Sequence, residues 1–132
     1  MPTIAGYSHL SFTVTNLDKS TQWYREVLGF ELDSRAEGDG FRRNRLRHPD
    51  GGVILTLTEH QAGSGDRFDE RRTGLDHAAF TVPNADDLHD FAERFKQLGI
   101  EHSDVKPTVS GAGGIITLRD PDNIQLEVFA AG

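Results

Sequence analysis

Apolar and polar residues alternate over Ser8–Val14, with Leu10, Phe12 and Val14 on one side and His9, Ser11 and Thr13 on the other. A period of two in a stretch rich in Phe, Thr and Val predicts a strand. The spacing then becomes helical over Asp18–Leu28, where Asn16 or Asp18 can cap the start and Gly29 stops the helix. Three more strands are predicted at Phe30–Arg35, Phe41–Arg47 and Val53–Thr58, broken by E-G-D-G and H-P-D-G-G. The same series follows again. Asp76–Val82 is a predicted strand, and Ala85–Leu98 a helix with Leu88, Phe91, Phe95 and Leu98 on one stripe before Gly99. Ile100–Lys106, Gly114–Arg119 and Ile124–Phe129 complete the second set of strands. Each half reads β-α-β-β-β.

The halves also share words. H-L-S-F-T-V at 9–14 matches H-A-A-F-T-V at 77–82, L-G-F-E at 28–31 matches L-G-I-E at 98–101, and L-R-H-P-D at 46–50 matches L-R-D-P-D at 118–122. The order is kept while the offset drifts from 68 to 70 to 72, as a duplication with small insertions produces. Module one is expected over 1–60, a connection over 61–74 and module two over 75–132. The connection, Q-A-G-S-G-D-R-F-D-E-R-R-T-G, is polar and glycine-rich, and is either an exposed link or a loop over a site. A sheet with one helix on it leaves its other face in need of cover. The expected fold is therefore α+β, a single domain whose two modules curl a mixed sheet around a shared cleft.

Alternation then assigns chemistry to faces. His9 and His77 start equivalent strands on the side away from the helices, and Glu127 lies on the same side of the last strand between Leu126 and Val128. A carboxylate inside an apolar strand is costly unless an arginine pairs with it or a metal takes it. Two histidines and one carboxylate suit a single divalent Fe, Mn, Ni, Co or Zn and leave positions open for substrate. Matching the apolar faces of the two last strands pairs Leu126 with Leu55 and Val128 with Leu57. Thr56 then stands where Glu127 stands, and three protein ligands are expected rather than four.

Composition narrows the alternatives. The 132 residues carry a net charge of −7 and no cysteine, so thiolate metal sites, disulfides and cysteine nucleophiles are excluded. An acidic chain is a poor nucleic-acid binder. No apolar run approaches the roughly 20 residues of a membrane span. Met1-Pro2-Thr3-Ile4 lacks a charged region followed by an apolar one, so a cytoplasmic location is expected. Arg43, Arg45 and Arg47 share one side of their strand and either hold an anionic substrate or form a charged, solvated edge. Phe41, Phe68 and Phe129 are candidate cleft walls, while Trp23, Tyr24, Phe91 and Phe95 fall at core spacing on the helices. G-A-G-G at 111–114 lacks the strand-then-helix context of a phosphate loop and reads as a turn.

The words H-L-S-F-T-V, S-T-Q-W-Y-R-E-V-L-G-F, L-R-H-P-D-G, D-H-A-A-F-T-V and L-R-D-P-D-N-I-Q-L-E-V-F resemble the vicinal oxygen chelate superfamily over nearly the whole chain. Glyoxalase I, bleomycin-resistance proteins, fosfomycin-resistance transferases, methylmalonyl-CoA epimerase and extradiol dioxygenases belong to it. The resemblance implies paired β-α-β-β-β modules, a metal at the positions of His9, His77 and Glu127, and frequently a homodimer. Thr56 stands where glyoxalase I has a glutamate and the epimerase a glutamine. The three-ligand pattern is thus closer to the fosfomycin transferases and the dioxygenases. The expected activity is a metal-dependent, glyoxalase-like enzyme of lyase, isomerase, transferase or dioxygenase type, with Glu127 at its centre. Phe41, Arg47, Thr56 and Phe129 are expected at a small-molecule substrate. Glu59, His60 and His102 are candidates for an outer shell. The alternative is a protein that sequesters a drug without turnover.

Overall fold

The computed structural model describes residues 1–132 as two units, Met1–Asp66 and Arg67–Gly132. The first unit runs β1 (Leu10–Thr13), α1 (Leu17–Leu28), β2 (Glu31–Gly38), β3 (Phe41–Arg47) and β4 (Ile54–His60). The second runs β5 (Ala78–Thr81), α2 (Ala85–Gln97), β6 (Lys106–Pro107), β7 (Gly114–Arg119) and β8 (Gln125–Ala130). Their sheets have equivalent orders, β1-β4-β3-β2 and β5-β8-β7-β6. In each, the first and last strands are parallel neighbours and the others antiparallel.

The helices begin and end where the chemistry of their caps dictates. Asn16 caps α1 by accepting the Lys19 amide at 3.0 Å, and Gly29 closes it at φ 81°. Asn84 and Asp87 exchange bonds as a capping box on α2. Each helix lays its apolar stripe on its own sheet. In the first unit Tyr24, Leu46, Leu55 and Leu57 are fully buried; in the second Leu88, Phe95, Ile116 and Leu126 are. Burying side chains of this size contributes roughly 1.5–3 kcal/mol each. The stripe of α2 is narrower than expected, because Leu98 lies beyond the last turn and is 45% exposed.

One expected strand is largely missing. Of Ile100–Lys106, only Lys106 enters a ladder, with Pro107, and His102 makes an isolated bridge to Leu118. The cause is local. The Ser103 hydroxyl accepts the Thr117 amide at 3.0 Å, taking a place that a backbone carbonyl would fill in a regular ladder. The repeated P-D turns behave alike in both units. The side chains of His48 and Asp120 each accept the amide two residues on, from Asp50 at 3.2 Å and Asp122 at 2.8 Å. Residues 67–74 are not a free link. The Phe68 amide donates to Asp122, and Arg119 grips Glu70 at 2.8 Å, fixing this stretch to the second unit.

Glu59 ties the end of β4 to the start of α1. Its Oε2 accepts the Leu17 amide at 2.7 Å and Arg42 stands at 3.2 Å. The backbone bond, followed by Arg42, holds its carboxyl below the ordinary carboxylate range although burial opposes this. A depressed folded-state pKa gives stability that is present above the unfolded value and is lost as pH falls through the folded one. Glu59→Gln is expected to cost about 1 kcal/mol at pH 7. In urea titrations that difference should shrink as pH falls below the ordinary carboxylate range. An equal cost at pH 7 and pH 3 would refute the capping role.

Candidate metal centre

The last strand of each sheet is central, and its alternation decides what reaches the uncovered face. Leu126 and Val128 of β8 are buried against the helix side, which turns Gln125, Glu127 and Phe129 to the other. Glu127 sits in register with Ala79 of β5 and Thr117 of β7. In the first sheet Thr56 sits between Ser11 of β1 and Arg45 of β3. Thr56 and Glu127 are therefore equivalent, as the matched apolar faces predict.

His77 lies one residue before β5. Its Nε2 is 3.5 Å from Glu127 Oε2, and its Nδ1 is 2.7 Å from Asp76 Oδ1. The Asp76 bond raises the imidazole pKa first; partial burial opposes it and the Glu127 charge adds to it. A carboxylate on Nδ1 fixes the ring and directs Nε2 toward Glu127, the arrangement found around metal-bound histidines. The Asp76 carboxyl is itself steadied by the Gln125 amide at 3.2 Å. Glu127 is 18% exposed and takes no Arg or Lys partner, so the alternative of a plain ion pair with arginine is not what this strand uses. The nitrogen and oxygen donors of His77 and Glu127 fit a divalent metal. Three or more such side chains are not gathered at metal-holding distance within either unit. His9, before β1 in the first unit, has Nδ1 2.9 Å from the Ser8 hydroxyl, so the same ring edge is used there.

His9 also borders a pocket of about 320 Å³ on the first sheet, with Ser11, Ser34, Arg43, Arg45 and Thr56. Of the other expected residues, Arg47 is drawn to Asp33 at 3.9 Å, a partner that Arg45 shares at 3.1 Å. Phe41 supports the Arg43 guanidinium, 4.7 Å from the ring centroid, and Phe129 lies two residues beyond Glu127 on the same face. The outer-shell candidates have structural work instead. Glu59 caps α1, His60 leans toward Phe41, and His102 packs on Phe95 while its Nδ1 meets the Ser103 carbonyl. Sequence reasoning missed Asp76, and it named Arg43 without setting it apart from Arg45 and Arg47. Asp76 directly precedes His77, and an acidic neighbour of a candidate ligand was the available signal.

Comparison with known proteins agrees with this architecture. The family model described as Glyoxalase/Bleomycin resistance protein/Dioxygenase superfamily matches residues 6–128. A solved glyoxylase/bleomycin resistance protein/dioxygenase domain from Frankia sp. EAN1pec is 38% identical, covering 97% of this chain and 98% of its own, with a TM-score of 0.88. The structure of the fosfomycin resistance protein FosX from Listeria monocytogenes, complexed with Mn(II) and a sulfate ion, is 25% identical. It covers 98% of this chain and 95% of its own, with a TM-score of 0.71. A manganese-dependent 2,3-dihydroxybiphenyl 1,2-dioxygenase from Geobacillus genomosp. 3 is 27% identical over 96% of this chain but only 36% of its own length. No helix of the protein is long and apolar enough to cross a membrane.

Proposed function

The chain belongs to the Glyoxalase/Bleomycin resistance protein/Dioxygenase superfamily, and from that premise we propose that it is a small metal-dependent enzyme acting on vicinal oxygens of a small molecule. The observation that carries this reading is the Asp76–His77–Glu127 line, in which a fixed imidazole faces a carboxylate that has no Arg or Lys partner. His9, His77 and Glu127 are the proposed ligands of one divalent ion, with Mn(II) first among the candidates because two of the similar proteins are named with manganese. A bound divalent ion supplies Lewis-acid polarisation of substrate oxygens. The chain's own residues do the rest. Asp76 sets the tautomer of His77 and keeps Nε2 free. Thr56 contributes a hydroxyl rather than a fourth strong ligand, which leaves room for substrate. Phe41, Arg47 and Phe129 are proposed as its further surroundings, and a homodimer in the cytoplasm as its setting.

The test is metal analysis of protein purified without chelator or added metal, followed by titration of the chelated protein with Mn, Fe, Ni, Co and Zn. One equivalent per chain is expected, with a rise in melting temperature. Metal at 100 times its dissociation constant stabilises the folded state by about 2.7 kcal/mol. No bound metal, and no shift with any of the five ions, would overturn the reading. Metal binding without turnover of any oxygen-rich substrate leaves the drug-sequestering alternative.

A further inference from the structure

Strand β3 carries four arginines, and three have carboxylate partners. Arg42 points to the helix side and meets Glu59, while Arg45 and Arg47 share Asp33. Arg43 has none. Its Nε donates to the Thr58 hydroxyl at 2.8 Å, and its guanidinium lies over the Phe41 ring. That ring is fixed in turn, since it covers Gly38 so closely that a β-carbon there would fall 2.2 Å from it. The cation is thus held by a hydroxyl and an aromatic face, neither of which neutralises it.

The pocket that Arg43 borders also contains an orphan. The Thr56 hydroxyl is buried without any hydrogen-bond partner, in a residue only 7% exposed. Leaving a buried polar group unpaired costs about 1–3 kcal/mol. Register explains why it is there. Ser11, Thr56, Arg45 and Ser34 form one row across β1, β4, β3 and β2, with side chains on the uncovered face. Arg43 lies in the next row, opposite Thr58 and Ala36. A cationic ligand would be repelled by Arg43, and an apolar one would leave Thr56 unpaired. An oxyanion satisfies both, because a guanidinium fork and a hydroxyl are donors to the same group of oxygens.

We propose that this pocket is an oxyanion subsite, in which Arg43 and the Thr56 hydroxyl, with Ser11 and Ser34 at its sides, anchor a carboxylate, phosphate or phosphonate of the substrate. The anchoring stands on this sheet alone. That the anion belongs to the substrate of a metal enzyme rests on the function proposed above.

The experiment titrates metal-free protein with inorganic phosphate, methylphosphonate and acetate, read by ¹H–¹⁵N shifts of the Arg43 Nε–H and the Thr56 and Ser11 amides. The expected result is saturable binding of at least one of them, with phosphate and methylphosphonate ahead of acetate if the anchored group is tetrahedral and the reverse if it is planar. Arg43→Met is expected to weaken binding by at least about 10-fold and Thr56→Val by about 5-fold. Arg42→Met, which lies on the helix side against Glu59 and outside the pocket, should change it less than about 2-fold. Arg43→Lys should recover part of the loss, and all four variants should retain the parent melting curve within a few degrees. No binding of any of the three anions, or equal losses in Arg43→Met and Arg42→Met, overturns the subsite. Mn(II) uptake measured on the same samples separates the two ideas. Normal uptake without anion binding removes the subsite alone, whereas specific anion binding without metal uptake supports the subsite and removes the metal enzyme.

Discussion

His77→Ala is expected to abolish stoichiometric Mn(II) binding, and Asp76→Asn to weaken it by about 10–100-fold while leaving the fold intact. The two effects differ because the residues act at different removes. His77 supplies the nitrogen donor 3.5 Å from Glu127, so its loss leaves the carboxylate without its nearest co-ligand. Asp76 supplies orientation through a 2.7 Å bond to Nδ1. Asparagine can still accept there, but without the charge that makes the imidazole a stronger donor. His9→Ala and Glu127→Gln should resemble His77→Ala. Competition against a fluorescent chelator gives the affinities, and thermal melts without metal confirm that each variant is folded. A His77→Ala protein that binds Mn(II) like the parent would show that the ligand set is wrong. An Asp76→Asn protein indistinguishable from the parent would reduce that contact to a surface bond.

These residues also show what a one-dimensional pattern conveys. The equivalence of Thr56 and Glu127 follows from alternation alone, because period-two parity survives small errors in strand ends. β1 and β5 are shorter than the predicted strands, yet Ser11 and Ala79 still pair with Thr56 and Glu127. The caps at Asn16 and Asn84 are local and equally legible. The fate of a charge is a different matter. Glu59 meets a backbone amide 42 residues earlier in the chain, and Asp33 rather than Glu31 or Glu37 draws in two arginines. Asp33 itself sits at a register shift between Leu32 and Ser34, which no spacing rule announces. Arg43 is left without a carboxylate only once those choices are made, so the three arginines looked alike in sequence. The weak strand near Ile100–Lys106 is a similar case. Its residues alternate adequately, but the Ser103 hydroxyl replaces a backbone acceptor.

Asp120→Ala is expected to destabilise the protein by about 2–5 kcal/mol, the largest stability change among the residues that support the site. Asp120 is 6% exposed, and its Oδ1 accepts two backbone amides at 2.8 Å, from Asp122 and Ile124. Alanine leaves both donors without an acceptor, each at about 1–3 kcal/mol. The turn is also closed by backbone bonds, from the Asp120 amide to the Ile124 carbonyl at 3.1 Å and from the Asn123 amide to the Asp120 carbonyl at 2.9 Å, but these do not take up the Asp122 and Ile124 amides. Asn123 occupies the left-handed region at φ 69°, a conformation that a side-chain-bearing residue adopts only when its surroundings require it. β8 starts two residues later, so this turn sets the point at which the alternation of Gln125, Leu126 and Glu127 begins. Asp120→Asn keeps one oxygen acceptor and should cost far less, about 1 kcal/mol. Urea unfolding monitored by fluorescence and by circular dichroism measures both. If alanine and asparagine are equally mild, the two amides find other acceptors and the turn is not what holds β8. If alanine is severe and asparagine mild, a residue outside every proposed contact with metal or substrate governs the placement of Glu127, and the shared L-R-x-P-D words mark the turn that delivers the last strand of each sheet.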